Sequence, residues 1–229
     1  SEGAAGANAL YYRDLTDPKS TIKPIVNSFE SEYSVVDNVG DKLLVRTNKN
    51  ASRYRLVLID PKKPQEQNWK VVVPQNENVM TGVSLVGGRI IASYMKDAAS
   101  EVVVYDTNGK QLNKVELPAI GTVGGFGGEK DDKETFFTFT SFTYPPTIYR
   151  YEVASNKVSL FRKTEVDVDT EAYETKQVFY TSKDGTKVPM FLVHKKGLEL
   201  NGNNIGHRVA VGVDEDPTIG QAVSSAAGG

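Results

Sequence analysis

A repeat constrains this chain more than any other feature. The 229 residues match themselves at a spacing of roughly forty to forty-five residues, and each copy carries four short apolar strands divided by turn residues. The first copy runs from Glu32 to Pro74, with strands at Tyr33–Val36, Lys42–Arg46, Tyr54–Ile59 and Trp69–Val73. Its turns fall at Asp37–Gly40, Thr47–Asn50 and Asp60-Pro61, all rich in residues that favour chain reversal. The second copy, Val79 to Leu117, places strands at Gly82–Val86, Arg89–Tyr94, Glu101–Tyr105 and Lys114–Leu117. Its turns are Gly87-Gly88, Lys96-Asp97 and Thr107–Lys110. The third, Gly121 to Lys163, gives Thr122–Gly125, Thr135–Phe142, Thr147–Val153 and Lys157–Phe161. Leu10–Leu15, ending in Asp17-Pro18, reads as the outer half of an earlier copy.

This pattern predicts an all-β protein, a partial β-propeller of about three four-stranded blades plus part of another. A β-sandwich is the competing architecture, because it too has short strands at regular spacing. Self-similarity favours the propeller. Propellers protect their sheets by arranging four to eight blades in a ring. Three blades and a part leave two apolar blade faces uncovered, which invites self-association.

Composition narrows the function classes. The formal net charge is −2 with acids and bases interspersed, so no basic stripe calls for nucleic acid and no basic amphipathic helix for a membrane surface. Apolar runs are only a few residues long, too short to span a bilayer. The N-terminal Ser1-Glu2-Gly3-Ala4-Ala5-Gly6-Ala7 has no basic region followed by an apolar one, so no targeting segment is expected, and the compartment, cytoplasmic or periplasmic, stays open. Cysteine is absent, which removes disulfides, thiolate zinc sites and cysteine nucleophiles together.

Five stretches, in order, carry a family resemblance. They are Asp37–Asp41 with Thr47–Asn50 and Tyr54-Arg55-Leu56; Trp69–Pro74; the glycine-rich Gly121–Gly128; Phe139–Phe142 with Pro145–Tyr149; and Val178–Met190, which reads Val-Phe-Tyr-Thr-Ser-Lys-Asp-Gly-Thr-Lys-Val-Pro-Met. From Asn8 to Asn204 the chain resembles a continuous segment of the prolyl oligopeptidase family. The resemblance implies a seven-bladed propeller over an α/β-hydrolase domain, with a catalytic serine, aspartate and histidine between them. The hydrolase of such an enzyme cleaves after proline by acyl transfer through an activated serine. The propeller is expected to admit short peptides and exclude folded proteins. Tyr173–Gly197 would be the first hairpin of the hydrolase domain, with Asp184-Gly185 as a two-residue turn. After Asn204 the family continues with a proline, an apolar strand and a Gly-Tyr-Gly-Gly-Phe run whose tyrosine helps bind the oxyanion. Ile205–Gly220 does not match it, and Ser224–Gly229 reads as a flexible tail.

Candidate chemistry is sparse. No Gly-x-Ser-x-Gly nucleophile turn occurs. Ser141 and Ser182 are the nearest candidate nucleophiles, in strand or hairpin settings. His194 and His207 are the two available bases, the first on a family strand without catalytic duty. Two separated histidines and no cysteine make a poor zinc site. Gly121–Gly128 lacks the Gly-Lys-Ser/Thr entry to a helix that a phosphate loop needs. It fits an inner blade strand packed close to the propeller axis, where side chains would clash. Asp131-Asp132, Asp167 with Asp169, and Asp214-Glu215-Asp216 lack the spaced ligands of a calcium loop and read as solvated turns. Phe136, Phe137, Phe139, Phe142, Tyr144, Tyr149 and Tyr151 alternate as the core of one blade, with Tyr144 the outlier that could face a partner.

The expected organisation is a flexible N-terminus at 1–7, a partial propeller at 8–166, a linker and first peptidase hairpin at 167–204, and an unmatched tail at 205–229. The expected role is the substrate-filtering propeller portion of a serine endopeptidase that cleaves short peptides after proline. No catalytic residue, cofactor or metal ligand is assigned within the chain, which is expected to be inactive by itself. The expected partners are short proline-containing peptides and the remaining peptidase domain, not nucleic acid or membrane. The alternative is a stand-alone propeller-type binding module that closes its ring by self-association.

Overall fold

The computed structural model describes residues 6–165, 169–198, 208–211 and 222–224. It forms five antiparallel sheets. A two-stranded sheet pairs β1 (Leu10–Tyr12) with β2 (Lys23–Val26). The first blade follows as β3 (Tyr33–Val39), β4 (Lys42–Thr47), β5 (Arg55–Ile59) and β6 (Lys70–Val73). The second comprises β7 (Val79–Val86), β8 (Arg89–Lys96), β9 (Ala99–Tyr105) and β10 (Gln111–Lys114). The third comprises β11 (Thr122–Gly127), β12 (Glu134–Thr140), β13 (Thr147–Glu152) and β14 (Lys157–Arg162). Within each blade the strands pair in chain order, as a meander. Three blades and an outer pair are the partial propeller that the repeat predicts.

Period-2 alternation explains why the sheets stack. In β5, Leu56 and Leu58 enter the cluster between the first and second blades. Val57 and Ile59 enter the cluster shared with β1 and β2. In β8 and β9, Ile90, Ala92, Val103 and Tyr105 face the first blade, while Ile91, Val102 and Val104 face the third. Strands buried on both faces read as unbroken apolar runs, as in Arg55-Leu56-Val57-Leu58-Ile59. A sandwich sheet with one wet face would alternate with polar residues instead, so the two-sided burial decides for the propeller. Each fully buried Leu, Ile or Val side chain stabilises by ~1.5–3 kcal/mol.

Some polar groups caught between blades find partners. The Tyr94 and Tyr105 hydroxyls meet at 3.1 Å, and burial pushes the Tyr94 phenol pKa upward. Arg46 lays its guanidinium 3.6 Å from the Tyr54 ring centre and donates to the Met80 carbonyl at 2.8 Å, tying the first blade to the second.

Several sequence expectations need correction. The outer strand of the second blade is Gln111–Lys114, not Lys114–Leu117. The Asp106–Lys110 turn is short enough to let pairing resume at once, with Gln111 opposite Tyr105. The reversal expected at Lys96-Asp97 is Asp97-Ala98, with both residues at positive φ (48° and 60°). The Asp184-Gly185 turn is not a two-residue connection: Ser182 pairs with Thr186 through its N–H, leaving three residues in the loop. Only Gly185 there has positive φ, 89°. A three-residue loop needs one left-handed residue at its end, whereas a two-residue loop of the expected type needs two.

The glycine-rich run is indeed the first strand of its blade, but only part of it requires glycine. A Cβ on Gly125, at φ +113°, would lie 2.9 Å from the Phe136 carbonyl oxygen, and one on Gly121 2.4 Å from that of Thr140. Gly124 and Gly127 have open space. The strand bulges between Gly125 and Gly127, which forces Phe126 to φ +63°. Its ring stacks on Phe137 at 4.6 Å and meets Tyr151 edge-on, offsetting the backbone cost.

The aromatic set also divides. Phe137, Phe139 and Tyr151 are buried against the second blade, with Tyr144 and Tyr149 partly buried beside them. Phe136 and Phe142 are not core, being 38% and 50% exposed. Phe136 points to the other face of β12, where it meets Phe161 at 4.8 Å.

The 1–7 segment lies mostly outside the described residues, as do His207, Asp167 and Asp214–Asp216. The 205–229 segment contributes β17 (Arg208–Val211) and β18 (Ala222–Ser224). These extend the sheet begun by β15 (Tyr173–Thr181) and β16 (Lys187–Lys195).

Gly125→Ala is expected to lower stability by ~1–3 kcal/mol, because strain and a backbone clash coincide. Gly124→Ala should stay within ~0.5 kcal/mol. Denaturant titration of the two variants checks this. Phe137→Ala should cost ~3–5 kcal/mol through an unfilled cavity between blades, read by the same titration.

Candidate functional site

The first strands of neighbouring blades, β3, β7 and β11, approach one another, as expected of the strands nearest a propeller axis. Their exposed residues are mainly small: Ser34, Val35 and Asn38 on β3, Thr81 on β7, and Thr122, Gly124, Gly125 and Gly127 on β11. This surface offers hydroxyls and bare backbone with little bulk.

Antiparallel order sends the turns to two opposite rims. On one rim lie Gly40-Asp41, Gly87-Gly88 and Glu129–Lys133. The Gly87 N–H donates to the Glu129 carbonyl at 3.3 Å. Lys130 donates to the Asn38 side-chain carbonyl at 3.2 Å, which joins the first blade to the third. Asp132 accepts from the Glu129 N–H at 2.8 Å, so this acid closes a turn.

The other rim carries Asp97-Ala98 and the loop Ser141–Pro146, and the hairpin β15/β16 sits against it. In the hairpin, Thr175 pairs with Val193 and Gln177 with Phe191, which puts all four on one face. Gln177 donates from Nε2 to the Asp97 carbonyl at 2.5 Å. The Thr175 and Thr143 hydroxyls are 3.4 Å apart. The Phe191 ring meets Phe142 at 5.3 Å between centres, tilted by 47°. One hydrogen bond and one ring pair contribute ~1 kcal/mol each. Sequence alternation could have placed Gln177 and Phe191 on one face, but nothing local marks their partners.

Ser141, Ser182 and one ring nitrogen of His194 have structural partners, while His194 Nε2 is buried without one. Ser141 Oγ accepts from the N–H groups of Thr143 (3.2 Å) and Tyr144 (3.1 Å), which shapes its own loop. Ser182 donates to the Asp184 carboxylate and holds its pKa down to about 2. His194 is buried, with Nδ1 3.0 Å from the Lys195 carbonyl and 3.5 Å from Glu174. Glu174 pairs directly opposite His194, while Ser182 lies eight positions further along, ~26 Å at ~3.3 Å per residue. That separation rules out a hydrogen bond between Ser182 and His194. Among the described residues, no group of three or more His, Asp or Glu side chains could hold a metal ion, and no helix is long and apolar enough to cross a membrane.

Comparison with known proteins agrees with this geometry. The family described as "Prolyl oligopeptidase, N-terminal beta-propeller domain" matches residues 1–164. A prolyl endopeptidase of Elizabethkingia miricola is 42% identical over 201 residues, covering 88% of this chain and 28% of that protein. A dual function macrocyclase-peptidase of Amanita bisporigera is 32% identical over 85% of this chain and 27% of its own length. A solved prolyl endopeptidase, studied for the role of inter-domain dynamics in catalysis and specificity, superposes with a TM-score of 0.75 at 37% identity, covering 87% of this chain and 29% of that one. Apo prolyl oligopeptidase B from Galerina marginata superposes with a TM-score of 0.77 at 26% identity, over 87% of this chain and 29% of the other. The chain spans under a third of the length of these relatives. By fold and by sequence match, the chain belongs to the prolyl oligopeptidase family and comprises part of its N-terminal β-propeller domain.

Proposed function

We propose that this chain is the substrate-filtering propeller portion of a serine endopeptidase that cleaves short peptides after proline. It supplies the passage and the docking surface, while the catalytic triad belongs to the remaining peptidase domain. The observation that carries this reading is the hairpin β15/β16, seated on one rim of the blades beyond residue 164, where the match to prolyl endopeptidases continues. In this reading, residues 167–204 lead from the propeller into the peptidase domain, and Tyr173–Gly197 is that domain's first hairpin. In this reading the chain binds and sorts, and bond breaking belongs to the remaining peptidase domain.

The test is hydrolysis of a short chromogenic peptide with proline before the leaving group, using the purified 229-residue chain. No turnover and no labelling by a serine-directed fluorophosphonate are expected. Turnover that survives purification would overturn the reading, and Ser141, Ser182, His194 and His207 would then be the first positions to mutate. The filtering role is tested in a chimera, with this chain replacing the matching segment of the Elizabethkingia miricola enzyme. The chimera should cleave a short proline peptide and spare a folded protein that contains the same sequence. Equal cleavage of both would refute filtering.

A second reading, a stand-alone module that closes its ring by self-association, draws on Phe136 and Phe161, which are 38% and 61% exposed on the last blade. Sedimentation equilibrium decides it. This reading expects twice the 25.1 kDa chain mass, and a monomer at every concentration removes it.

A further inference from the structure

The two blade junctions are closed in different ways at their outer turns. The turn of the second blade meets the first through its backbone. A Cβ on Gly109, at φ +90°, would collide with the Val72 carbonyl of β6. The corresponding turn of the third blade carries Asn156 at φ 55° instead, and it reaches the second blade with its side chain. Asn156 Nδ2 donates to the Lys114 carbonyl at 3.4 Å. Its Oδ1 accepts from the Asn113 side chain at 2.7 Å and from the Tyr151 hydroxyl at 2.9 Å. A side chain thus spans at this junction a gap that glycine closes at the other.

Beside Asn156 lies a groove of about 670 Å³, between the segment that follows β10 and the start of β14. Its size falls within the ~300–1,000 Å³ of small-molecule sites. Leu117, Pro118, Tyr149 and Val158 supply the apolar lining. Phe126, Phe137 and Tyr149 stack on three successive strands, with ring centres 4.6 and 5.5 Å apart, and Tyr149 is the outer end of this column. A further ring in the groove would continue the stack. Burial raises the Tyr149 pKa, so the phenol stays a donor at neutral pH, and no hydrogen bond engages it among the described residues. Glu116 and Lys157 charge the two walls. Nearby ion pairs join Lys96 and Lys114 to Glu101, and Arg150 to Glu134 and Glu152. Among the described residues, Glu116 and Lys157 take part in none. An anion would be repelled by Glu116 and a cation by Lys157, so a ligand with one charge of each sign fits best.

We propose that this groove binds a short zwitterionic peptide with an aromatic side chain. The ligand's amino terminus meets Glu116, its carboxylate meets Lys157, and its ring packs on Tyr149. The Tyr149 hydroxyl donates to the peptide carbonyl. The site is built from outer strands and turns, apart from the inner-strand surface, and it does not rest on the function proposed above.

The experiment titrates the dipeptide Ala-Phe into the isotope-labelled 229-residue chain and follows its backbone amide shifts by NMR. A Kd of roughly 0.1–1 mM is expected from the size of the ligand, with the shifts confined to the groove residues. Acetylating the amino terminus or amidating the carboxylate should each weaken binding ~3–5-fold. Glu116→Gln should weaken Ala-Phe by the same factor and leave the acetylated form unaffected, because a contact already removed is not lost twice. Lys157→Gln should behave likewise toward the amidated form. Ala-Ala, which has both charges and no ring, should bind far more weakly than Ala-Phe. Glu116 and Lys157 are exposed, and the blocked dipeptides test the same charges on the unaltered chain. No shifts with millimolar Ala-Phe, or shifts spread over all three blades, would overturn the site. Equal binding of free and blocked dipeptides would overturn the charge assignment, and equal binding of Ala-Ala would overturn the role of Tyr149.

Discussion

Face-to-face burial of sheets is the interaction on which everything else here depends. The middle strands of the first and second blades are apolar on both faces, because each lies between two neighbours. Leu56 and Val57 are adjacent in sequence yet belong to different interblade clusters, and so do Ile90 and Ile91. Removing a neighbouring sheet would expose an entire row of such residues. The third blade shows this directly: Phe137 and Phe139 are covered by the second blade, whereas Phe136, on the other face of the same strand, is not.

That constraint also sets where strain is tolerated. Phe126 keeps a left-handed backbone because its ring is held between Phe137 and Tyr151. The bulge beside it shifts the register of β11 against β12. The inner strand can then be small and irregular, since the blade is stabilised from its middle strands. A surface of glycine, serine and threonine near the axis follows from the same division of labour. The rims differ for a related reason. One is closed by blade-to-blade bonds such as that of Lys130 to Asn38, and the other is covered by the hairpin.

Much of the fold was legible in the residues. Turn pairs such as Gly87-Gly88 marked reversals where both residues do take positive φ, and unbroken apolar runs marked the middle strands. Errors arose where local chemistry is silent. Asp97-Ala98 contains no glycine or asparagine, so the sequence marked a reversal one residue early, at Lys96-Asp97. Lys114–Leu117 looked like the outer strand because Val115 and Leu117 are apolar, yet pairing is set by the short turn that ends at Lys110. Gly124 and Gly127 looked obligatory because their neighbours Gly125 and Gly121 are, although a Cβ at either would meet open space.

The sequence by itself determined the repeat, the alternation within each strand, and the lack of a Gly-x-Ser-x-Gly nucleophile turn, because these depend on residue type and spacing along the chain. Only the tertiary structure decided which of two alternating rows is covered, as with Phe136 and Phe137, and which loops meet the hairpin. Ser141 became a loop-shaping acceptor and Phe142 a partner for Phe191 through contacts between distant segments. A side chain's burial and bonding depend on which sheet or loop lies opposite, and that neighbour is fixed by packing across the molecule and not by the residues beside it.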